Sequence, residues 1–220
     1  MEHREYTETR HVVCDLETLG SDPDAVILSI GLVRIMFDDE NHCYFVPEIS
    51  DSVLDTTQWS MYHPVHRDLM YRTCNMIGQI VSGRTVDANT HQWWSNQASV
   101  PRQVLTDAML TTTPPVDLSM TLRSFIGLDD CVWGKGPTFD NAILRHYIKQ
   151  MDVASLWKFR NDRCLRTIDD FLRGDTLPFR NAVPHHAFYD AHYEAQRLVF
   201  AANRMLRYGI DFLGEARGRQ

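Results

Sequence analysis

The sequence predicts an α/β fold in which an antiparallel meander is extended by parallel strands into one mixed sheet flanked by helices. Three observations predict it. Apolar, β-branched runs crowd the stretch before residue 50, helix-spaced and strand-like segments alternate from residue 90 onward, and a long amphipathic run closes the chain. His11 to Leu16 reads as a short buried strand, and after the polar break Gly20-Ser21-Asp22-Pro23-Asp24 a second runs from Ala25 to Phe37. Asp38-Asp39-Glu40-Asn41 signals a turn, and His42 to Ile49 reads as the third strand of the meander. From Asp51 to about Thr90 the periodicity degrades among short helical stretches, so this segment is expected to be an insertion. Helices follow at Thr90 to Asn96, Pro101 to Leu110 and Val116 to Ile126, the last with Val116, Leu118, Leu122, Phe125 and Ile126 at helical spacing. Cys131-Val132-Trp133 is a short strand ending in Gly134-Lys135-Gly136-Pro137, and Phe139 to Met151 is an amphipathic helix. Cys164 to Ile168 reads as a strand that leads into a helix around Asp169 to Arg173, and Tyr189 to Tyr208 is the final helix.

At 220 residues the chain is expected to be a single domain, 1–220, with the insertion at about 51–90. The net charge is −7 and the pI about 5.8, which argues against a broad surface that grips long duplex nucleic acid through many phosphates. It leaves room for an enzyme that engages a few nucleotides, because bound cations reverse the sign of an acidic pocket locally. The polar N-terminus has no apolar core of a secretory signal, and no apolar stretch is long enough for a membrane span. The five cysteines lack any CxxC pair, which speaks against a disulfide framework and a zinc ribbon. A reducing cytoplasm, the cell's own or that of a host, is the expected compartment, with no membrane partner.

Asp15-x-Glu17 stands where a buried strand runs out, so alternation sends both carboxylates to one face, about 6.5–7 Å apart along the strand. Two carboxylates at that spacing can flank a metal pair about 3.5–4 Å apart. Asp140 opens a helix, where an aspartate serves equally well as an N-terminal cap. His185 and Asp190 lie where a loop enters the last helix, and His186 competes with His185 for the role of base, since either is within reach of Asp190 by spacing. Four acids and a histidine in this order are what a metal-dependent phosphodiesterase needs: carboxylates to hold cations and a neutral imidazole to take a proton from water.

Val13-Cys14-Asp15-Leu16-Glu17-Thr18-Leu19-Gly20, Gly136-Pro137-Thr138-Phe139-Asp140 and His185-x4-Asp190 resemble the three motifs of the DnaQ-like, or DEDDh, 3′-5′ exonucleases. The resemblance implies a ribonuclease-H-like fold, two Mg²⁺ or Mn²⁺ ions held by Asp15, Glu17, Asp140 and Asp190, and release of nucleoside monophosphates. In that family the histidine stands five positions before the last aspartate, which selects His185 over His186 as general base. Thr18 is then expected near the terminal 3′-hydroxyl and Leu19 as a wedge against a base. Phe139, Arg166 at a phosphate and Trp93 as a stacking platform complete the expected substrate contacts. Thr90-His91-Gln92-Trp93-Trp94-Ser95-Asn96-Gln97 and Arg166-Thr167 further resemble the phage exodeoxyribonuclease A group, itself close to bacterial exoribonucleases. The expected substrate is a single-stranded 3′ end, DNA before RNA, and a homodimer is an expected assembly. The competing readings are an exoribonuclease of RNA tails and a non-catalytic nucleic-acid-binding module on the same fold.

Overall fold

The computed structural model describes residues 6–48, 68–175, 177–181 and 183–214. The meander forms as expected, with longer strands: β1 (Tyr6–Thr18) pairs antiparallel with β2 (Ile27–Asp38), and the short β3 (Cys43–Phe45) pairs with the far end of β2. β2 is buried along its whole length, which is why its Val, Ile and Leu run is nearly continuous and not alternating. The described part of the segment expected as an insertion contributes a strand to the sheet. β4 (Leu69–Thr73) pairs antiparallel with β2 over Ser29–Val33, beside the stretch that β3 occupies, while 51–67 lie outside the described residues. Five residues with Arg72 and Thr73 among them carry too little alternation to announce a strand; pairing with β2 supplies what the local sequence does not.

Helices α1 (Met76–Val81), α2 (Ala88–Ser95), α3 (Ser99–Leu110) and α4 (Pro115–Phe125) follow, before β5 (Cys131–Gly134) adds parallel to β1. α5 (Asp140–Gln150) crosses to β6 (Asp162–Cys164), parallel to β5, and α6 (Leu165–Phe171) and α7 (Ala187–Leu206) complete the chain. The strand expected to start at Cys164 therefore ends there, and Leu165 already belongs to a helix. The sheet order is β3-β2-β1-β5-β6, with β4 on β2, a mixed sheet flanked by helices of the ribonuclease-H-like kind.

Alternation along β1 divides the core. Val12, Cys14 and Leu16 face α4 and α5, in a cluster with Leu122, Ile143, Leu144 and Trp157. Val13 faces the other way, with Val33, Ile35, Leu165, Phe188, Ala191 and Leu198 under α6 and α7. A third cluster, around Leu19, Val26, Leu28 and Trp94, lies under the helices that follow β4. Among the described residues no helix is long and apolar enough to cross a membrane.

Candidate active site

Asp15 and Glu17 continue the Val13 side of β1, so both carboxylates point toward the face that α7 covers. A glycine admits the helix. Gly31 lies opposite Asp15 in the β1–β2 register, and a Cβ built on it would stand 2.1 Å from the Ala187 carbonyl oxygen and 2.7 Å from the Phe188 nitrogen. Only a residue without a side chain lets the start of α7 rest on the strand at this point. The same first turn carries Asp190, and one oxygen from each of Asp15, Glu17 and Asp190 lies within 4.8 Å of the other two.

The fourth carboxylate comes from another element. Asp140 is the first residue of α5 but does not take the capping place, which Phe139 occupies without a side-chain bond. Its two oxygens instead accept the backbone N–H groups of Leu16 at 3.2 Å and Lys135 at 3.0 Å, so it is tied to β1 between Asp15 and Glu17. Asp190 does both jobs at once. It accepts the backbone N–H of the N-cap residue His186 at 3.1 Å, from one place beyond N3, and still reaches the acids on β1. Its other oxygen accepts from the Asn181 side chain, a partner that no spacing rule reveals because it lies across an irregular loop.

Burial raises three of these acids, Asp15, Glu17 and Asp140. Burial pushes Asp15 well above the usual carboxylate range, and the charges of Asp140, Glu17 and Asp190 push the same way. Glu17 is raised by burial and then by the charge of Asp190, with which it also shares a hydrogen bond. Burial lifts Asp140 to about 7, against the pull of its backbone N–H partners and of Arg166. A hydrogen bond between two carboxyls needs a proton on one of them, so the cluster must hold a proton or meet a cation. An all-oxygen, all-carboxylate donor set of this compactness fits hard divalent ions such as Mg²⁺ or Mn²⁺.

The two histidines separate. His185 is exposed in the turn before α7, in the left-handed region at φ +63, and its ring meets that of Trp93 edge-on, with centroids 4.8 Å apart and planes at 87°. His186 turns inward: its ring is stacked on Tyr71 at 4.5 Å and packs edge-on to Tyr189 at 5.0 Å, and burial pushes its pKa down to about 4. The buried ring anchors the turn on which His185 is presented.

The remaining expected residues divide as well. Of the tryptophan pair, Trp94 is core and donates its indole N–H to the Thr18 carbonyl at 2.9 Å, whereas Trp93 is 41% exposed. Thr18 donates its hydroxyl to the Gly20 carbonyl at 2.6 Å. Leu19 is wholly buried in the third cluster, so in this arrangement it is a core residue and does not stand open to a base. Phe139 is half-buried against the first cluster. Arg166 is exposed at the start of α6, beside Gly136, whose hypothetical Cβ would stand 3.4 Å from its guanidinium carbon.

A family model described as the 3′-5′ exoribonuclease Rv2179c-like domain matches residues 10–201. The chain belongs to this family. The matched span of the Rv2179c-like domain contains Asp15, Glu17, Asp140, His185 and Asp190, in agreement with the DnaQ-like resemblance of the motifs. No curated protein sequence matches the chain. Among solved structures, that of the cell-death related nuclease 4 (CRN-4) superposes with a TM-score of 0.41 at 11% identity, over 90% of this chain. The chain spans 64% of the CRN-4 chain.

Proposed function

We propose that this Rv2179c-like domain is a metal-dependent 3′-5′ exonuclease that removes nucleoside monophosphates from single-stranded nucleic acid and acts as one domain. The observation that carries the reading is the meeting of Asp15, Glu17 and Asp190, from strand and helix, within 4.8 Å of one another, with Asp140 bonded to the same stretch of β1. These four acids would hold the cations. Two Mg²⁺ or Mn²⁺ ions bound there would supply charge to polarise the phosphodiester and to lower the pKa of a water. His185, exposed on a turn fixed from below by His186, takes the proton from the attacking water. Arg166 makes no ion pair among the described residues and offers its charge to a phosphate near Asp140. Thr18, through its backbone carbonyl, and Leu19, through its buried side chain, hold the end of β1 against Trp94.

For the sugar, RNA comes first, because the family matched over most of the chain is described by that substrate. DNA, the sugar to which the phage-like segments around Trp93-Trp94 and Arg166-Thr167 point, is the second reading. The free state of Cys14, Cys43, Cys74, Cys131 and Cys164 suits a reducing compartment such as the cytoplasm. Paired digestion of 5′-labelled single-stranded RNA and DNA of one sequence, with Mg²⁺ and with Mn²⁺, tests the reading. Stepwise shortening from the 3′ end with mononucleotide products is expected, faster on RNA. No shortening of either polymer overturns the activity, and a tenfold higher kcat/KM on DNA, about 1.4 kcal/mol in transition-state binding, overturns the order of substrates.

A further inference from the structure

Trp93 is 41% exposed on the surface of α2 and belongs to none of the three core clusters, yet its ring is held on two sides. It meets Trp94 edge-on at 5.1 Å and 85°, and His185 edge-on at 4.8 Å and 87°. Trp94 is itself locked, buried in the third cluster and bonded through its indole N–H to the Thr18 carbonyl. A continuous path of fixed groups thus runs from the end of β1, the strand that carries Asp15 and Glu17, to the imidazole of His185.

The backbone of His185 is constrained as well. Its φ of +63 is a conformation that histidine adopts seldom, and the turn is kept there by the buried His186 ring and by the contact of α7 with Gly31. The side chain, however, is exposed, and an exposed imidazole with no neighbour exchanges freely among staggered rotamers. Perpendicular ring contact is a favoured aromatic geometry, so an indole at this place selects one rotamer from the set. A general base works only when its nitrogen lies within hydrogen-bond reach of the water it serves.

We propose that Trp93 is a positioning residue for His185: its indole, braced by Trp94 on the end of β1, fixes the imidazole in register with the acidic cluster. The inference rests on the reading of His185 as the base of an exonuclease reaction, and it differs from a base-stacking role in what it predicts. A stacking platform contributes to substrate affinity, and its loss multiplies with the loss of the base. A positioning residue acts through His185 and has nothing left to do once the imidazole is gone.

The experiment is a double-mutant cycle of Trp93→Leu and His185→Ala under single-turnover conditions on one labelled single-stranded oligonucleotide, with Trp93→Phe as the conservative variant. Trp93→Leu is expected to lower the rate at saturating substrate roughly tenfold or more with little change in KM. Trp93→Phe is expected to restore most of that rate, and His185→Ala with Trp93→Leu to be no slower than His185→Ala alone. The imidazole C–H resonance of His185, identified by its loss in His185→Ala, is expected to move in Trp93→Leu, a readout that needs no activity. A raised KM at unchanged rate, or losses that multiply, overturns the positioning role. An active protein indifferent to His185→Ala overturns the assignment of the base, and a wild-type protein that hydrolyses nothing overturns the exonuclease reading, whatever the resonance shows.

Discussion

Asp140 illustrates how a single side chain in the candidate site ties separate elements together. Its carboxyl accepts backbone N–H groups from β1 and from the turn after β5, and burial still lifts it to about 7. Asp15 and Glu17 are raised for the same first reason, burial, so without cations the folded protein holds protons that the unfolded chain has released. By linkage, stability then falls as pH rises. His11 and His186, both pushed down from 6.5 to about 4 by burial, act oppositely, but only below the unperturbed value of 6.5. The window in which the acids act alone therefore opens at 6.5 and runs upward through 7. In chelator, the melting temperature is expected to fall between pH 6.5 and about pH 8, and Mg²⁺ or Mn²⁺ to reverse the fall. A melting temperature that climbs with pH across that window in chelator contradicts the account of the cluster. That Asp15 and Glu17 share a face was legible in the sequence, because alternation in a strand fixes it, and the structure brings Asp190 to the same place. The inward turn of His186 was not legible, since it depends on Tyr71, a residue of another strand.

At the scale of elements, the site is the meeting of β1, α7 and the start of α5, and glycines set how close they come. Gly31 interrupts a mostly apolar strand, the sequence signal of a close backbone approach, although nothing in the sequence identifies α7 as the element that approaches. Gly31→Ala places a methyl group within 2.1 Å of the Ala187 carbonyl, so the first turn of α7 must lift and carry Asp190 away from Asp15 and Glu17. The substitution is expected to cost about 1–3 kcal/mol of stability, as overpacking does, and to lower turnover roughly tenfold or more. Chemical denaturation and single-turnover rates on the same preparation check both, and wild-type values for the two mean that the close approach is dispensable. Long periodic elements were readable to within a few residues: α3, α4, α5 and α7 announce themselves by apolar spacing. β4 and β6 were hidden or displaced because strands of five and three residues draw their stability from the partner strand and not from their own pattern.

On the scale of the whole molecule, a net charge of −7 coexists with a candidate site whose own acids repel one another, a repulsion that a bound divalent cation would offset. β1 supplies two of the acids, the start of α5 the third and α7 the fourth, so the cluster forms only when these three elements are packed together. We propose that these carboxylates hold the metal ions of a 3′-5′ exonuclease. The most direct measurement compares wild type and Asp15→Asn, an isosteric change that removes one charge from the centre of the cluster, on a 5′-labelled single strand with Mg²⁺ or Mn²⁺. Wild type is expected to shorten the strand from its 3′ end and to stop when the ions are chelated, while Asp15→Asn, with an unchanged circular dichroism spectrum, is expected to leave the strand intact. Full activity of a folded Asp15→Asn protein, or hydrolysis by wild type that persists in chelator, contradicts the account.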